Sequence, residues 1–433
     1  MSTPEPGAQP PEFIGKYPVE RLLGAGPASE VFLCRDPFND REVAVKRILP
    51  AALKDPVYGQ LYRKLLFTKA AHARRLLHPH IVHIFDAVVE ANAGYIVMEY
   101  VAGGTLEQYA DSARLQPVDG IVEIIFKCTR ALAYAHQQGV THGDLKPSNV
   151  LLSGPTDIRL SDFGLAPYAA IDTTQNTTAG APAYMSPEQV RDEKADQRSD
   201  IYSLGVVMYQ LLTGTLPYAA GSGLSMIYQI TNVDPPPPST HRKEVPLAID
   251  KIVRRAMHKL PERRYAGWDD FSVDLTDAFR TVRSARRTED LSDTDKFYAL
   301  RALSFFRHFT DAELWEVAAF GRWQLIPEGA VLMQEGEEGD FFCLLAAGEV
   351  RVSKNDKPLS VLGPGECFGE MAYLSETGME RSASVMAGAD CSVIRFQIAD
   401  LEQSSVACQQ KFERAFVNVL LERLKRADKR LTT

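Results

Sequence analysis

The chain is poor in cysteine, and the six it has, at positions 34, 128, 343, 367, 391 and 408, are scattered through 433 residues. They form no C-x-x-C pair and no metal-ligand spacing, which excludes a disulfide scaffold and a zinc module. They read instead as small buried hydrophobes of a reducing compartment. A long apolar run is also missing: the most apolar stretch, around Leu204 to Leu212, is too short to cross a bilayer. The Pro-rich opening MSTPEPGAQPPEF has no apolar core for a signal peptide, so a cytoplasmic protein without a membrane partner is expected. Basic excess is absent too. The net charge of −8 argues against nucleic acid as a partner.

What is present is a series of ordered polar motifs. His142-Gly143-Asp144-Leu145-Lys146-Pro147-Ser148-Asn149 sets an acid, a cation and an amide at fixed offsets behind a helix-patterned segment ending at His136. Asp162-Phe163-Gly164 follows, and Val43-Ala44-Val45-Lys46 lies well upstream. Phosphoryl transfer needs a carboxylate to orient a hydroxyl, ligands for a metal, and a cation on the phosphates. Together these motifs resemble the signature set of the protein-kinase family, whose catalytic loop reads H-R-D-x-K-x-x-N. The resemblance implies that Asp144 and Lys146 are catalytic, the lysine being the form typical of Ser/Thr-specific members. It implies that Asn149 and Asp162 hold Mg2+ or Mn2+ and that Lys46 binds the phosphates of ATP. Gly24-Ala25-Gly26 opens a stretch similar to the glycine-rich loop, with Ser29 in place of the third glycine. Val31, Ala44, Met98 at the gatekeeper position, Glu99, Val101 and Leu151 complete the implied ATP site. Helices are expected from about Leu106 and from Val118 to Gln138.

Several positions depart from the family pattern. A helical stretch from Tyr58 to Leu77 carries Lys69 where the family has the glutamate that pairs with the lysine at position 46. Asp55 is the only acid between Lys46 and Pro79, so no shifted carboxylate replaces it. Gly143 stands where most members carry an arginine that clamps an activation-segment phosphate. The segment Asp162 to Glu188 contains no Lys or Arg, so a phosphate on Thr173, Thr174, Thr177 or Thr178 lacks an obvious partner. Ala181 replaces a threonine that helps position the catalytic aspartate. Glu188, Asp200 and Arg264 match family positions that brace the lobe, with Glu188 and Arg264 expected to pair. Asp234 to Pro238 reads as a rigid spacer.

Thr281 to Asp295 is charged and poor in apolar residues and reads as a linker, its basic cluster ahead of Thr288 being solvated. Beyond it, a helical opening from Leu300 to Phe320 gives way to short strands separated by glycines, which argues for a small β-barrel or jelly roll. Phe368-Gly369-Glu370-Met371-Ala372, followed by Arg381-Ser382, resembles the phosphate-binding cassette of cyclic-nucleotide-binding domains. The resemblance implies that Arg381 pairs with the cyclic phosphate, that Glu370 accepts from the ribose 2′-hydroxyl, and that a short helix after Gly369 offers free amides. Phe368, Ala372 and Ser382 complete the implied site, and the choice between cyclic AMP and cyclic GMP stays open. One amphipathic helix from Ile398 to Leu431 closes the chain as a lid, a homodimer contact, or both.

The expected chain is thus multi-domain α+β, a bilobal protein-kinase fold followed by a β-barrel (jelly-roll) cyclic-nucleotide-binding domain with flanking helices. Residues 1–12 form a disordered tail, 13–280 the kinase domain of a bacterial eukaryotic-like type, 281–296 a linker and 297–433 the nucleotide domain. The implied function is ATP-dependent phosphorylation of Ser or Thr in a protein substrate, regulated by cyclic AMP or cyclic GMP. Lys69 and Ala181 keep open a pseudokinase that binds both nucleotides with little transfer.

Overall fold

Short stretches rich in Val, Ile and aromatic residues open the chain and form one antiparallel sheet. Its strands are β1 (Phe13–Ile14), β2 (Tyr17–Ala25), β3 (Ser29–Asp36), β4 (Arg41–Ile48), β5 (Ile84–Val89) and β6 (Gly94–Glu99), in the order β1-β2-β3-β4-β6-β5. The computed structural model describes residues 11–26, 28–54, 75–89, 94–163, 182–218, 223–283, 293–374 and 380–431. Alternation along a strand sends Val43 and Val45 to one face and Ala44 and Lys46 to the other. The first face joins Ile14, Tyr17, Phe32, Cys34 and Val97 in a core cluster. The second is left for a site.

The chain separates into two compact units, Met1–Arg287 and Thr288–Thr433. The first unit continues into helix α1 (Val118–Gln137), a two-stranded sheet of β7 (Val150–Leu152) and β8 (Ile158–Leu160), and helices α2 (Gln197–Thr213), α3 (Leu247–Ala256) and α4 (Trp268–Arg283). Helix α2 opens on a capping box between Asp196 and Ser199 and stops at Gly214, whose φ of 74° suits glycine. Every residue from Ser199 to Tyr209 is buried, as an all-round apolar helix requires. Between α2 and α3, Pro238 at the end of the proline run begins a short helix, Pro238–His241, a position that suits its missing N–H.

Arg264 reaches Glu188 with two parallel bonds of 2.7 Å, and Ser199 donates to the same carboxylate at 2.6 Å. Burial alone would raise the pKa of Glu188, but the Arg264 hydrogen bonds and charge hold it below the usual value. That contribution to stability is present above pH 4.5 and lost as the pH falls. Removing one member of such a buried pair strands the other charge. Arg264→Ala is therefore expected to cost about 3–5 kcal/mol in urea unfolding at neutral pH.

The second unit begins with α5 (Asp293–Ala302), a 3-10 turn at Ser304–Phe306, and α6 (Asp311–Phe320). Among the described residues eight strands follow: β9 (Arg322–Ile326), β10 (Val331–Met333), β11 (Phe341–Ala347), β12 (Val350–Lys354), β13 (Lys357–Leu362), β14 (Cys367–Phe368), β15 (Ser384–Ala387) and β16 (Cys391–Gln397). They make two four-stranded antiparallel sheets, β10-β15-β12-β13 and β14-β11-β16-β9, the two layers of a jelly-roll-like barrel. Leu345, Val350, Phe368, Val385 and Val393 fill the space between them. A second cluster of Phe305, Phe306, Phe309, Phe342, Phe396, Phe412 and Phe416 joins the helices to the barrel through ring contacts. All six cysteines are free and buried. Among the described residues no helix is long and apolar enough to cross a membrane.

Four local expectations change. Helix α4 runs to Arg283 and α5 starts at Asp293, both inside the stretch read as linker. The charges there deceive, because Asp293 and Asp295 occupy the first turn of α5, where they complement the helix dipole. The opening from Leu300 to Phe320 is interrupted, with Thr310 and Glu313 forming a capping box that starts α6. The residues from Leu106 form only a 3-10 turn, Leu106–Tyr109. The closing helix is two helices, α7 (Ile398–Glu402) and α8 (Val406–Leu431). At the break, Ser404 Oγ bonds back to the Leu401 carbonyl, and Glu316 accepts from both the amide and the hydroxyl of Ser405.

Candidate active site and nucleotide pocket

The loop after α1 is fixed from below by Asp200, in the first turn of α2. Its two carboxylate oxygens accept the N–H groups of His142 and Gly143 at 2.8 and 2.7 Å. Burial lifts the Asp200 pKa to about 6, against the opposing pull of those two bonds. Burial likewise pushes His142 down to about 4, so its ring stays neutral against Phe163, 4.7 Å away. Gly143 has a φ of 78°, a conformation in which an arginine side chain would be strained. Its carbonyl accepts from Gln189 Nε2 at 3.1 Å, while Gln189 Oε1 takes the Ser186 amide at 2.9 Å. The loop is thus held on both sides of Gly143, by the buried Asp200 carboxylate and by the Gln189 amide.

Both expected catalytic residues, Asp144 and Lys146, and the expected metal ligand Asn149 meet at one carboxylate. Asp144 Oδ2 accepts from Lys146 Nζ at 2.8 Å and from Asn149 Nδ2 at 3.2 Å, and Asn149 Nδ2 also reaches the Asp144 carbonyl at 2.8 Å. The Ser161 amide donates to the Asn149 carbonyl at 2.9 Å, which sets Asp162 beside the loop. Asp162 sits at a φ of 61° and binds Lys46 Nζ at 2.7 Å. Burial would raise the Asp162 pKa, but the charge and hydrogen bond of Lys46 prevail and hold it low. Asn149 Oδ1 and the Asp162 carboxylate offer oxygen only, the donor that a hard divalent cation such as Mg2+ or Mn2+ takes. The residues fit such an ion.

The expected ATP-site residues line up through strand register. Gly24 pairs with Val31, Val31 with Lys46, and Ala44 with Met98. Laterally paired residues share a face, so Val31, Ala44, Lys46 and Met98 lie on the side away from the Val43–Val45 core. Gly26 donates its amide to the Ser29 carbonyl at 2.8 Å in the preceding turn. The Glu99 amide is engaged with the His83 carbonyl at 2.9 Å, and Val101 lies two residues past the strand's end. Leu151 bridges to Thr105 from the small strand Val150–Leu152. Lys69, Gly164, Ala181, the four activation-segment threonines and Thr288 lie outside the described residues.

All six residues expected to bind a cyclic nucleotide, Phe368, Gly369, Glu370, Ala372, Arg381 and Ser382, line one cavity of about 240 Å³ in the second unit. Arg381 is 6% exposed. Its guanidinium donates to the Gly369 carbonyl at 3.1 Å and the Phe341 carbonyl at 2.8 Å, over the Phe341 ring. Among the described residues no carboxylate pairs with it. Burial lowers its pKa, the mark of a desolvated cation. A Cβ at Gly339 or Gly369 would strike this guanidinium, so the two glycines form its cradle. Glu370, 2% exposed, leaves its Oε2 buried without a partner. An unpaired buried cation and an orphan acceptor in one cavity fit an anion that carries a hydroxyl. The expected free amides are fewer than foreseen, because those of Ala372, Tyr373 and Leu374 bond back to Gly369 and Glu370.

Two contacts escaped the sequence reading: Gln189 on Gly143, and Arg423 of α8 on Glu370 at 2.6 Å. In the comparisons, residues 17–271 match the protein kinase domain family and residues 323–404 the cyclic nucleotide-binding domain family. The chain is 38% identical over 273 residues to serine/threonine-protein kinase PknB of Mycobacterium leprae, covering 61% of this chain and 43% of that protein. It is 35% identical over 272 residues to serine/threonine-protein kinase PrkC of Bacillus subtilis, covering 62% and 41%. The chain therefore spans less than half the length of these relatives.

Proposed function

Given that the chain belongs to the protein kinase domain family and carries a cyclic nucleotide-binding domain after it, we propose that it transfers the γ-phosphoryl group of ATP to Ser or Thr hydroxyls of protein substrates under the control of cyclic AMP or cyclic GMP. The observation that carries the transfer reading is the cluster of Asp144, Lys146 and Asn149 on one carboxylate, with Lys46 on Asp162 beside it. Asp144 Oδ2 is engaged by Lys146 and Asn149, leaving Oδ1 to accept the proton-bearing hydroxyl of the substrate and aim its oxygen at phosphorus. Lys146 lies within reach of the charge that develops on the transferred group, and Lys46 of the phosphates behind it. Asn149 and Asp162 would hold a divalent ion, which when bound neutralises phosphate charge. Val31, Ala44, Met98 and Leu151 supply apolar surface for adenine, with main-chain groups at Glu99 and Val101 for its polar edge.

Control by nucleotide rests on Arg381, a buried cation without a described acidic partner. The loop is braced at Gly143 by Asp200 and Gln189. A phosphate on the activation segment is then unnecessary for loop geometry, which frees regulation to reside in the second unit.

A second reading, a module that binds ATP and cyclic nucleotide without transfer, is favoured by Lys69 at the position of the usual acid. Lys46 already has an acid at 2.7 Å, and its side chain is only 13% exposed. Lys69→Glu is therefore expected to change the transfer rate by less than about threefold, a barrier change well under 1.4 kcal/mol. A tenfold rise in a steady-state assay with radiolabelled ATP would show that the missing acid limits the reaction.

A further inference from the structure

A second cleft of the same unit, about 160 Å³ in volume, lies between the Ser304–Phe309 turn and one side of α8. The buried side chains of Phe305, Phe309 and Ala415 give it an apolar lining, and Arg307, His308, Lys411 and Arg414 a basic one. Lys411, Arg414 and Asn418 recur at helical spacing, so α8 turns all three to the same side. Lys411 Nζ spends one of its three donors on the His308 carbonyl at 2.8 Å. Arg307 Nε donates to His308 Nε2 at 3.1 Å, which leaves Nδ1 as the ring's own donor. Among the described residues no carboxylate pairs with Arg307, Lys411 or Arg414, and the side chains of Ser304 and Asn418 make no hydrogen bond. The one acid in the lining, Glu366, is turned to its own loop, where Oε2 accepts the Gly363 amide at 2.8 Å. Arg423 reaches both the cleft and the nucleotide cavity, but its guanidinium is committed to Glu370 and the Cys367 carbonyl. Donors therefore far outnumber acceptors, and cations of one sign face each other from two elements in a chain whose net charge is −8.

We propose that this cleft is a second anion site, which binds the phosphate monoester of a phosphorylated serine or threonine on a protein through Arg307, Lys411 and Arg414. This rests on the transfer reading above, which makes such esters the product of the first unit, and adds a place that holds them. A planar carboxylate offers two oxygens, whereas a phosphate monoester spreads three acceptor oxygens and close to two charges over a tetrahedron. That spread suits donors arriving from both walls, and a guanidinium can take two of the oxygens at once. The apolar lining from Phe305, Phe309 and Ala415 suits the carbon atoms of the esterified side chain and its neighbours. The net charge of −8 disfavours an extended polyanion such as an anionic lipid surface or nucleic acid, which must approach the whole chain. A single ester meets only the local excess of cations.

The test uses the full chain. A short phosphothreonine peptide, its unphosphorylated form, inorganic phosphate and phosphatidylglycerol vesicles are each titrated calorimetrically into wild type, Arg414→Ala, Arg414→Lys and Arg381→Ala. The phosphopeptide is expected to bind wild type and its unphosphorylated form to give no binding. Inorganic phosphate should bind more weakly than the phosphopeptide, because it lacks the carbon atoms that meet the apolar lining. Arg414 is exposed, so its truncation leaves the core intact. Arg414→Ala is expected to weaken the phosphopeptide about tenfold, through loss of a charge-assisted hydrogen bond, with Arg414→Lys between the two. Arg381→Ala, in the other cavity, should leave phosphopeptide affinity within about twofold. No phosphopeptide binding at millimolar concentration, equal affinity for the unphosphorylated form, or no loss in Arg414→Ala overturns the proposal. Preference for the vesicles or for inorganic phosphate overturns it too, in favour of a lipid headgroup or the free ion. The titrations contain no ATP, so failure of the transfer reading shows only in the transfer assay and failure of the cleft only here.

Discussion

Asp144→Ala should reduce phosphoryl transfer by at least about a hundredfold while ATP affinity changes by less than about threefold. A positioned carboxylate that manages the proton of the attacking hydroxyl contributes roughly 10²–10⁴ in rate. Its described side-chain hydrogen bonds go to Lys146 and Asn149 inside the loop, and not to Lys46, Ala44 or Met98 on the strand face. The effect should therefore fall on the turnover rate. Transfer to a protein acceptor and a separate ATP titration on the same preparation distinguish the two. An unchanged rate would place the activity elsewhere, in a contaminant or at another site.

Arg381→Ala should weaken cyclic nucleotide binding by roughly thirtyfold or more and abolish any nucleotide effect on transfer. Truncating one member of a buried charged pair costs roughly 2–5 kcal/mol, and a ligand shifts an equilibrium only by its difference in affinity for the two states. Without the ligand, Arg381 is held by two main-chain carbonyls and an aromatic ring, so its removal also empties the cradle at Gly339 and Gly369. Arg381→Lys fills part of that space with the charge retained. It should bind better than the alanine variant and worse than wild type, because a point charge replaces a fork. Calorimetry on the three proteins decides. Equal affinity in all three would mean that the cyclic phosphate is recognised elsewhere.

The parts of both sites that were legible in the sequence are local. His142 to Asn149 and Phe368 to Ala372 are short runs whose residue types are dictated by chemistry at fixed spacing, and each run stays together in the fold. The Glu188–Arg264 pair spans 76 positions, yet it was legible because both residues occupy family positions. Gln189 and Arg423 were not legible. Their partners lie 46 and 53 positions away, and no period or motif links a glutamine at the end of a capping box, or one arginine in a basic helix, to them. The break at Ser404 and Ser405 was missed for a related reason. The apolar period of the closing stretch runs through it, and the interruption draws on the carboxylate of Glu316, 89 positions back. Gly143 reads in sequence as the loss of an arginine. In the fold it is a left-handed residue braced from two sides, a different solution to holding the same loop.

The most direct measurement is transfer from radiolabelled ATP by the purified full chain, with a divalent cation, as cyclic AMP and cyclic GMP are each titrated in. The expected result is measurable phosphorylation of Ser or Thr in a protein acceptor, absent in Asp144→Ala, with a rate that shifts saturably with at least one of the two nucleotides and no shift in Arg381→Ala. No transfer at any nucleotide concentration, or transfer that persists in Asp144→Ala, would contradict it.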